Sequence, residues 1–189
     1  MMLIRPTRRR MLVTLGAAIV SVPLLSAFDE LPETDPTGEG PAYKAGAPEK
    51  DDLLEPGLAG TPLLMSGRIL NTHGEPLAGG MLDIWEARMD GHYDFAGYTL
   101  RGKVRAGKDG RYRFRTVVPK PYDNEMGNRT AHIHVKASAS GHALVTTELH
   151  IKGLARNYTD FAVRPSLQLV LRDNKDGQAT EFDFVLRHA

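Results

Sequence analysis

From Leu63 onward, apolar and polar residues trade places in short runs set off by turn-forming residues, the period-2 pattern of half-buried strands. The runs L-L-M-S-G-R-I-L (Leu63 to Leu70) and M-L-D-I-W-E-A (Met81 to Ala87) flank the turn N-T-H-G-E-P. R-Y-R-F-R-T (Arg111 to Thr116) alternates strictly after a Lys108-Asp109-Gly110 turn, with Tyr112 and Phe114 on one face and three arginines on the other. A-H-I-H-V-K-A (Ala131 to Ala137) and L-V-T-T-E-L-H-I (Leu144 to Ile151) follow. Finally S-L-Q-L-V-L-R and A-T-E-F-D-F-V-L-R bracket D-N-K-D-G-Q, which reads as a hairpin through its Asp-Gly step. No stretch has the 3.6-residue period of an amphipathic helix. The pattern predicts an all-β domain over residues 58–189, a β-sandwich of mostly antiparallel strands with long loops.

Upstream the pattern is lost. Residues 28–57 are rich in proline, glycine and acidic side chains, with nine Asp and Glu against two lysines, and read as an extended arm wrapped on the domain or partly disordered. Residues 1–27 hold Arg5, Arg8, Arg9 and Arg10, no acid, then an apolar run interrupted by Gly16 and Pro23 and closed by L-S-A. That run is short for a membrane span and fits a secretory signal, an uncleaved anchor being the alternative. T-R-R-R-M-L-V (Thr7 to Val13) resembles the twin-arginine signal that carries folded, cofactor-loaded proteins across a membrane. The expectation is an exported, periplasmic protein with no stable membrane association once the signal is removed.

Without that leader, 162 residues remain, with 20 basic and 23 acidic side chains. The charges are interspersed and no basic stripe carries interleaved aromatics, so nucleic acid is not an expected partner. Cysteine is absent, which removes thiolates from the possible ligands and nucleophiles.

Candidate chemistry begins with R-T-A-H-I-H-V-K-A. On an extended chain His132 and His134 project to one side and Ile133 to the other, the first half of a metal site or simply two half-buried strand residues. Two tyrosines lie in turn-rich sequence, Tyr93 in M-D-G-H-Y-D-F and Tyr122 in V-P-K-P-Y-D-N, where loops on a rigid scaffold build sites. Each alone reads equally as a packing tyrosine. His73, His142 and His188 look solvated, His92 adjoins Tyr93, His150 ends a strand, and Trp85 reads as sandwich packing.

Taken together, D-G-x-Y, then D-G-R-Y-R-F-R-T-V-V-P-x-P-Y, then R-x-A-H-I-H, then T-T-E-L-H-I resemble the intradiol ring-cleavage dioxygenases. G-R-I-L-N-T-H-G-E-P-L-A-G-G-M-L-D-I-W-E-A and F-D-F-V-L-R extend the likeness from about Gly40 to Arg187. The resemblance implies a mononuclear non-haem Fe(III) held by Tyr93, Tyr122, His132 and His134, with Arg129 as the active-site arginine. It implies a catechol-type substrate and O2 as co-substrate. Tyr122 would accept a substrate proton, Arg129 would stabilise negative charge on the activated ring, and the product would be a cis,cis-muconate-type diacid. Phenolate oxygens suit the ferric state better than imidazoles alone.

Three positions depart from that family: Thr130 where proline is usual, Glu148 where glutamine is common, and Asp123 and Asn124 where an aromatic is expected after Tyr122. No helical N-terminal domain like that of the catechol and hydroxyquinol members is read, so the expectation is a subunit nearer the protocatechuate type, as a homo- or hetero-oligomer. Two rivals use the same residues differently. One is a non-catalytic exported β-sandwich module, which gives the four ligands no purpose. The other is a zinc hydrolase or hydratase on His132, His134 and a third histidine such as His150, which leaves the tyrosines idle. A cupin oxygenase fits less well, since Ser138 and Ala139 stand where its carboxylate belongs.

Overall fold

The computed structural model describes residues 30–125 and 127–189. The leader read over residues 1–27 lies outside them. Twelve strands follow in order: β1 (Pro62–Asn71), β2 (Met81–Trp85), β3 (Arg101–Arg105), β4 (Arg111–Val117), β5 (Tyr122–Asn124), β6 (Gly127–Arg129), β7 (His132–Ser138), β8 (Val145–Ile151), β9 (Gln168–Leu169), β10 (Arg172–Asn174), β11 (Gly177–Glu181) and β12 (Phe184–Leu186). Two short 3-10 turns, Ala155–Tyr158 and Pro165–Leu167, are the helical elements among the described residues. No helix there is long and apolar enough to cross a membrane.

The strands form two five-stranded sheets and a small hairpin, β5-β6. One sheet runs β3-β2-β7-β8-β9, and the other is organised around β1, which pairs with β4, β11 and β12. Six pairings are antiparallel and three parallel, the parallel ones being β1 with β11, β1 with β12 and β8 with β9. Strand alternation decides what lies between the sheets. Leu63 and Met65 of β1, Phe114 of β4, Leu82 and Ile84 of β2, Ile133 and Val135 of β7 and Leu149 of β8 are 1% exposed or less and form one core. Burying each such side chain contributes roughly 1.5–3 kcal/mol.

Two expected strands are broken. The run Ser166 to Arg172 does not stay in one sheet: Gln168 and Leu169 pair parallel to β8, Val170 is exposed, and the chain crosses to the other sheet as β10. The run ending at Arg187 is interrupted between β11 and β12, where the Phe182 carbonyl turns inward to accept the Tyr112 hydroxyl at 2.6 Å. The hairpin between β10 and β11 is present, closed by Lys175 and Asp176 between the paired Asn174 and Gly177.

β7 is buried on both faces. Ile133, Val135 and Ala137 enter the core, while His132 and His134 face away from it and are covered by loops and by residues 30–57. Those upstream residues form no strand and lie along the sandwich through isolated bridges, Glu49 to Lys103 and Asp52 to Arg115.

Candidate active site

A second, smaller cluster of buried residues lies on the outer face of the β2-β7-β8 sheet: Ala42, Trp85, Ala87, Tyr93 and Tyr122. His132 and His134 open into it from β7, 3% and 2% exposed.

Tyr93 arrives on the loop between β2 and β3. That loop begins with a tight turn in which Gly91 N–H donates to Arg88 O and Arg88 N–H to His92 O, each at 2.9 Å. Gly91 has φ +83°, and a Cβ there would stand 2.7 Å from the Tyr122 Cβ, so glycine lets this loop lie against Tyr122. Further along, Asp94 accepts from the N–H groups of Gly97 and Thr99 at 2.7 and 3.0 Å. Lys44 reaches over from the upstream segment and donates to the carbonyls of Phe95, Ala96 and Gly97 at 2.8–3.0 Å.

Tyr122 is in a strand rather than in irregular chain: it opens β5 and pairs directly with Arg129, which ends β6. Three-residue strands are too short for alternation to reveal. Asn124 donates to Gly91 O at 2.8 Å, joining this hairpin to the Tyr93 loop.

The four tyrosine and histidine side chains converge. Tyr93 Oη lies 3.1 Å from His132 Nε2 and 3.0 Å from His134 Nε2, and the two Nε2 atoms are 3.1 Å apart. The Tyr122 ring stands edge-on to Tyr93, centroids 6.2 Å apart, and 5.7 Å from the His132 ring. Protons settle what this triangle can be. His132 Nδ1 is 2.7 Å from the Thr130 carbonyl, which can only accept, so that nitrogen carries the hydrogen and Nε2 is bare. The three edges then share at most two protons, from the Tyr93 hydroxyl and His134, so at least one edge of close polar atoms carries no hydrogen bond. A cation relieves that. Edges near 3 Å are also what two donors at right angles make around a first-row metal with bonds of about 2.1 Å. Imidazole nitrogens with phenol oxygens suit iron, so the residues present fit a non-haem iron centre.

The electrostatics agree. Burial holds His132 down at about 4 and His134 well below the usual imidazole range, so both are neutral donors. Burial raises the phenol of Tyr93 far above its ordinary value, Tyr122 adding to the effect; Tyr122 is also raised by burial, with Tyr93 and Arg129 pulling the other way. A metal is what would ionise such phenols.

Arg129 flanks the cluster with its guanidinium between two carboxylates: Nη2 is in direct contact with Glu148, and Nε lies 2.9 Å from Asp160. Asp160 also accepts from Thr130 N–H at 2.9 Å, and the Thr130 hydroxyl donates to Asn157 at 2.7 Å. A proline at position 130 has neither donor, so the threonine ties the β6-β7 junction to the 152–164 loop.

Several contributors escaped the sequence reading. Trp85 packs on His134 rather than in the sandwich core, rings stacked at 4.8 Å, because alternation along β2 puts it opposite Leu82 and Ile84. The same period places Glu148 and His150 on the face shared by the two histidines, where both are buried. Gly40, at φ +68°, approaches so closely that a Cβ would stand 3.3 Å from His134 Cε1. His150 turns its Nε2 to Glu148 at 3.5 Å rather than to the triangle. Glu148 can be grouped with His132 and His134 as metal donors, but it meets His134 at Nδ1, 3.6 Å away, on the ring edge remote from Tyr93. His92 is half exposed, near Asp90 and Glu125.

A profile of the family described as Dioxygenase matches residues 38–188. The catechol 1,2-dioxygenase of Acinetobacter baylyi is 35% identical over 156 residues, 68% of this chain and 50% of that protein. The 6-chlorohydroxyquinol 1,2-dioxygenase of Cupriavidus pinatubonensis is 34% identical over 201 residues, 91% of this chain and 71% of that one. Among solved structures, the dioxygenase domain of a dioxygenase carbohydrate-binding protein fusion from the cellulolytic bacterium Streptomyces sp. SirexAA-E superposes with a TM-score of 0.72 at 39% identity, covering 82% of this chain and 100% of that one. The chain spans about half the length of the first of these curated relatives.

Proposed function

The chain belongs to the intradiol ring-cleavage dioxygenase family, and on that premise we propose that it opens a catechol-type ring between its two hydroxyl-bearing carbons with O2, using one non-haem Fe(III). The observation that carries this reading is the triangle of Tyr93 Oη, His132 Nε2 and His134 Nε2 with Tyr122 beside it. Those four side chains would hold the ion. Bound there, a ferric ion supplies Lewis acidity, ionising coordinated phenols and drawing electron density from a catechol.

The protein's own groups divide the remaining work. Tyr93 is enclosed and serves as a fixed ligand, whereas Tyr122 stands across β5-β6 from Arg129, whose charge favours its phenolate. Tyr122 Oη is therefore the base that takes a proton from a substrate hydroxyl. Arg129, immobilised by Glu148 and Asp160, stabilises the negative charge that grows on the ring and on the diacid product. Trp85 and Gly40 close around His134 and keep water from that side. The basic and apolar leader supports export of an already folded protein by the twin-arginine route.

The test is a visible spectrum of the purified, iron-loaded protein under air, before and after catechol. A red-brown tyrosinate-to-iron band that moves on adding catechol is expected. A protein that stays colourless with ferric iron supplied would overturn the ligand set.

A further inference from the structure

In the chemistry above Glu148 serves only to hold Arg129, a task it shares with Asp160, yet it is 3% exposed and lies among the charges of the site. The β7-β8 register sets His134 opposite Glu148 and His132 opposite His150, and the two-residue period puts all four on one face. One carboxylate oxygen contacts Arg129 Nη2 and lies 3.5 Å from His150 Nε2; the other lies 3.6 Å from His134 Nδ1. His134 Nδ1 is buried and has no hydrogen-bond partner among the described residues.

Pairing with Arg129 does not account for this placement. Asp160 already faces that guanidinium at 2.9 Å, so Glu148 is a second buried carboxylate against one cation. A surplus buried negative charge is costly unless donors or a further positive charge compensate it. The donors within reach are the two imidazoles, and the further charge is a cation at the Nε2 side of His134.

We propose that Glu148 is a positioning residue for the metal centre: its carboxylate takes the Nδ1–H of His134, which leaves the Nε2 lone pair aimed at Tyr93 and His132. Its other oxygen holds Arg129, so the ligand histidine and the charge-stabilising arginine are set by one side chain. A carboxylate behind a ligating histidine fixes the tautomer and strengthens the nitrogen as a donor. The inference rests on His134 being a ligand.

Three measurements test it. In iron-loaded Glu148→Gln, iron should dissociate about 10- to 100-fold more readily in competition with a chelator. The tyrosinate-to-iron band should move to longer wavelength, because a weaker histidine donor leaves the metal more electron-poor. Glu148→Asp, which keeps the charge, should return the band towards the wild-type position. A residue that only packs or only pairs Arg129 would change stability or turnover and leave band and affinity where they were; that result overturns the proposal. Imidazole nitrogen-15 spectra of the full metal-free chain separate this outcome from failure of the ligand set and remain informative should Glu148→Gln not fold. Wild type should show His134 protonated at Nδ1, and an Nε2–H tautomer there overturns the proposal whether or not iron binds.

Discussion

The indole of Trp85 lies flat on the imidazole of His134, ring centroids 4.8 Å apart and planes 5° from parallel, while Tyr43 meets the indole edge-on at 4.9 Å. The ring proposed as a metal ligand is thus oriented by a stack that starts in the segment before the first strand. Trp85→Leu removes it. Stability should fall by about 2–3 kcal/mol in urea denaturation, and iron should be lost to a chelator at lower concentration than from wild type. Equal iron retention would show that the stack does not orient His134.

The two tyrosines are expected to differ. Tyr93 touches both histidine nitrogens, whereas Tyr122 touches the cluster through ring contacts and pairs with Arg129. Tyr122→Phe should keep a weakened coloured band and lose about 100-fold or more in kcat, the loss of a proton acceptor. Tyr93→Phe should lose iron binding itself. Metal analysis and absorbance of the two variants side by side decide the assignment.

Removing Arg129 leaves the carboxylates of Glu148 and Asp160 buried without their cation. Arg129→Met should cost about 3–5 kcal/mol of stability, read from urea midpoints. Turnover in whatever remains folded at low temperature should fall by about 100- to 1000-fold. A stable Arg129→Met with unchanged kcat would remove Arg129 from the mechanism.

Glu86 gives a prediction in pH. It is fully buried, accepts the Thr116 hydroxyl, has its second oxygen unpartnered, and burial raises its carboxyl from 4.5 to about 8 against the pull of Thr116 and Val117. The folded state therefore keeps a proton that the unfolded chain releases near 4.5. Stability should decline between about pH 4.5 and 8, by at most about 1.4 kcal/mol per pH unit, and level off above. Glu86→Gln should flatten that slope and be more stable than wild type at pH 8, with little difference near pH 4. Parallel urea midpoints for the two proteins across that range would place the titrating group elsewhere.

Much of this was legible from side-chain type and spacing. The period of two fixed the faces of β4, β7 and β8, and with them the common direction of His132 and His134. Tyr93, Tyr122 and Arg129 could be assigned to one site only through resemblance, because nothing local brings position 93 within 3.1 Å of position 132. What stayed hidden depends on tertiary contact. Val170 alternates like a strand residue, but the chain leaves one sheet for the other there. Lys44 and Gly40 lie in a segment without periodicity, so their grip on the Tyr93 loop and the His134 ring left no mark in the pattern. Trp85 and Glu148 were readable by alternation, which points both away from the core.

The central place of β1 has a consequence for how the molecule comes into being. Leu63 pairs with Gln178 and Ile69 with Phe184, so a strand near the start of the domain waits for partners close to its end. Closing such a long loop is slow, and the ribosome must release the last strands before that sheet can be completed. Until then one side of β1 is an open edge, the kind of unpaired backbone on which strands of other chains can add.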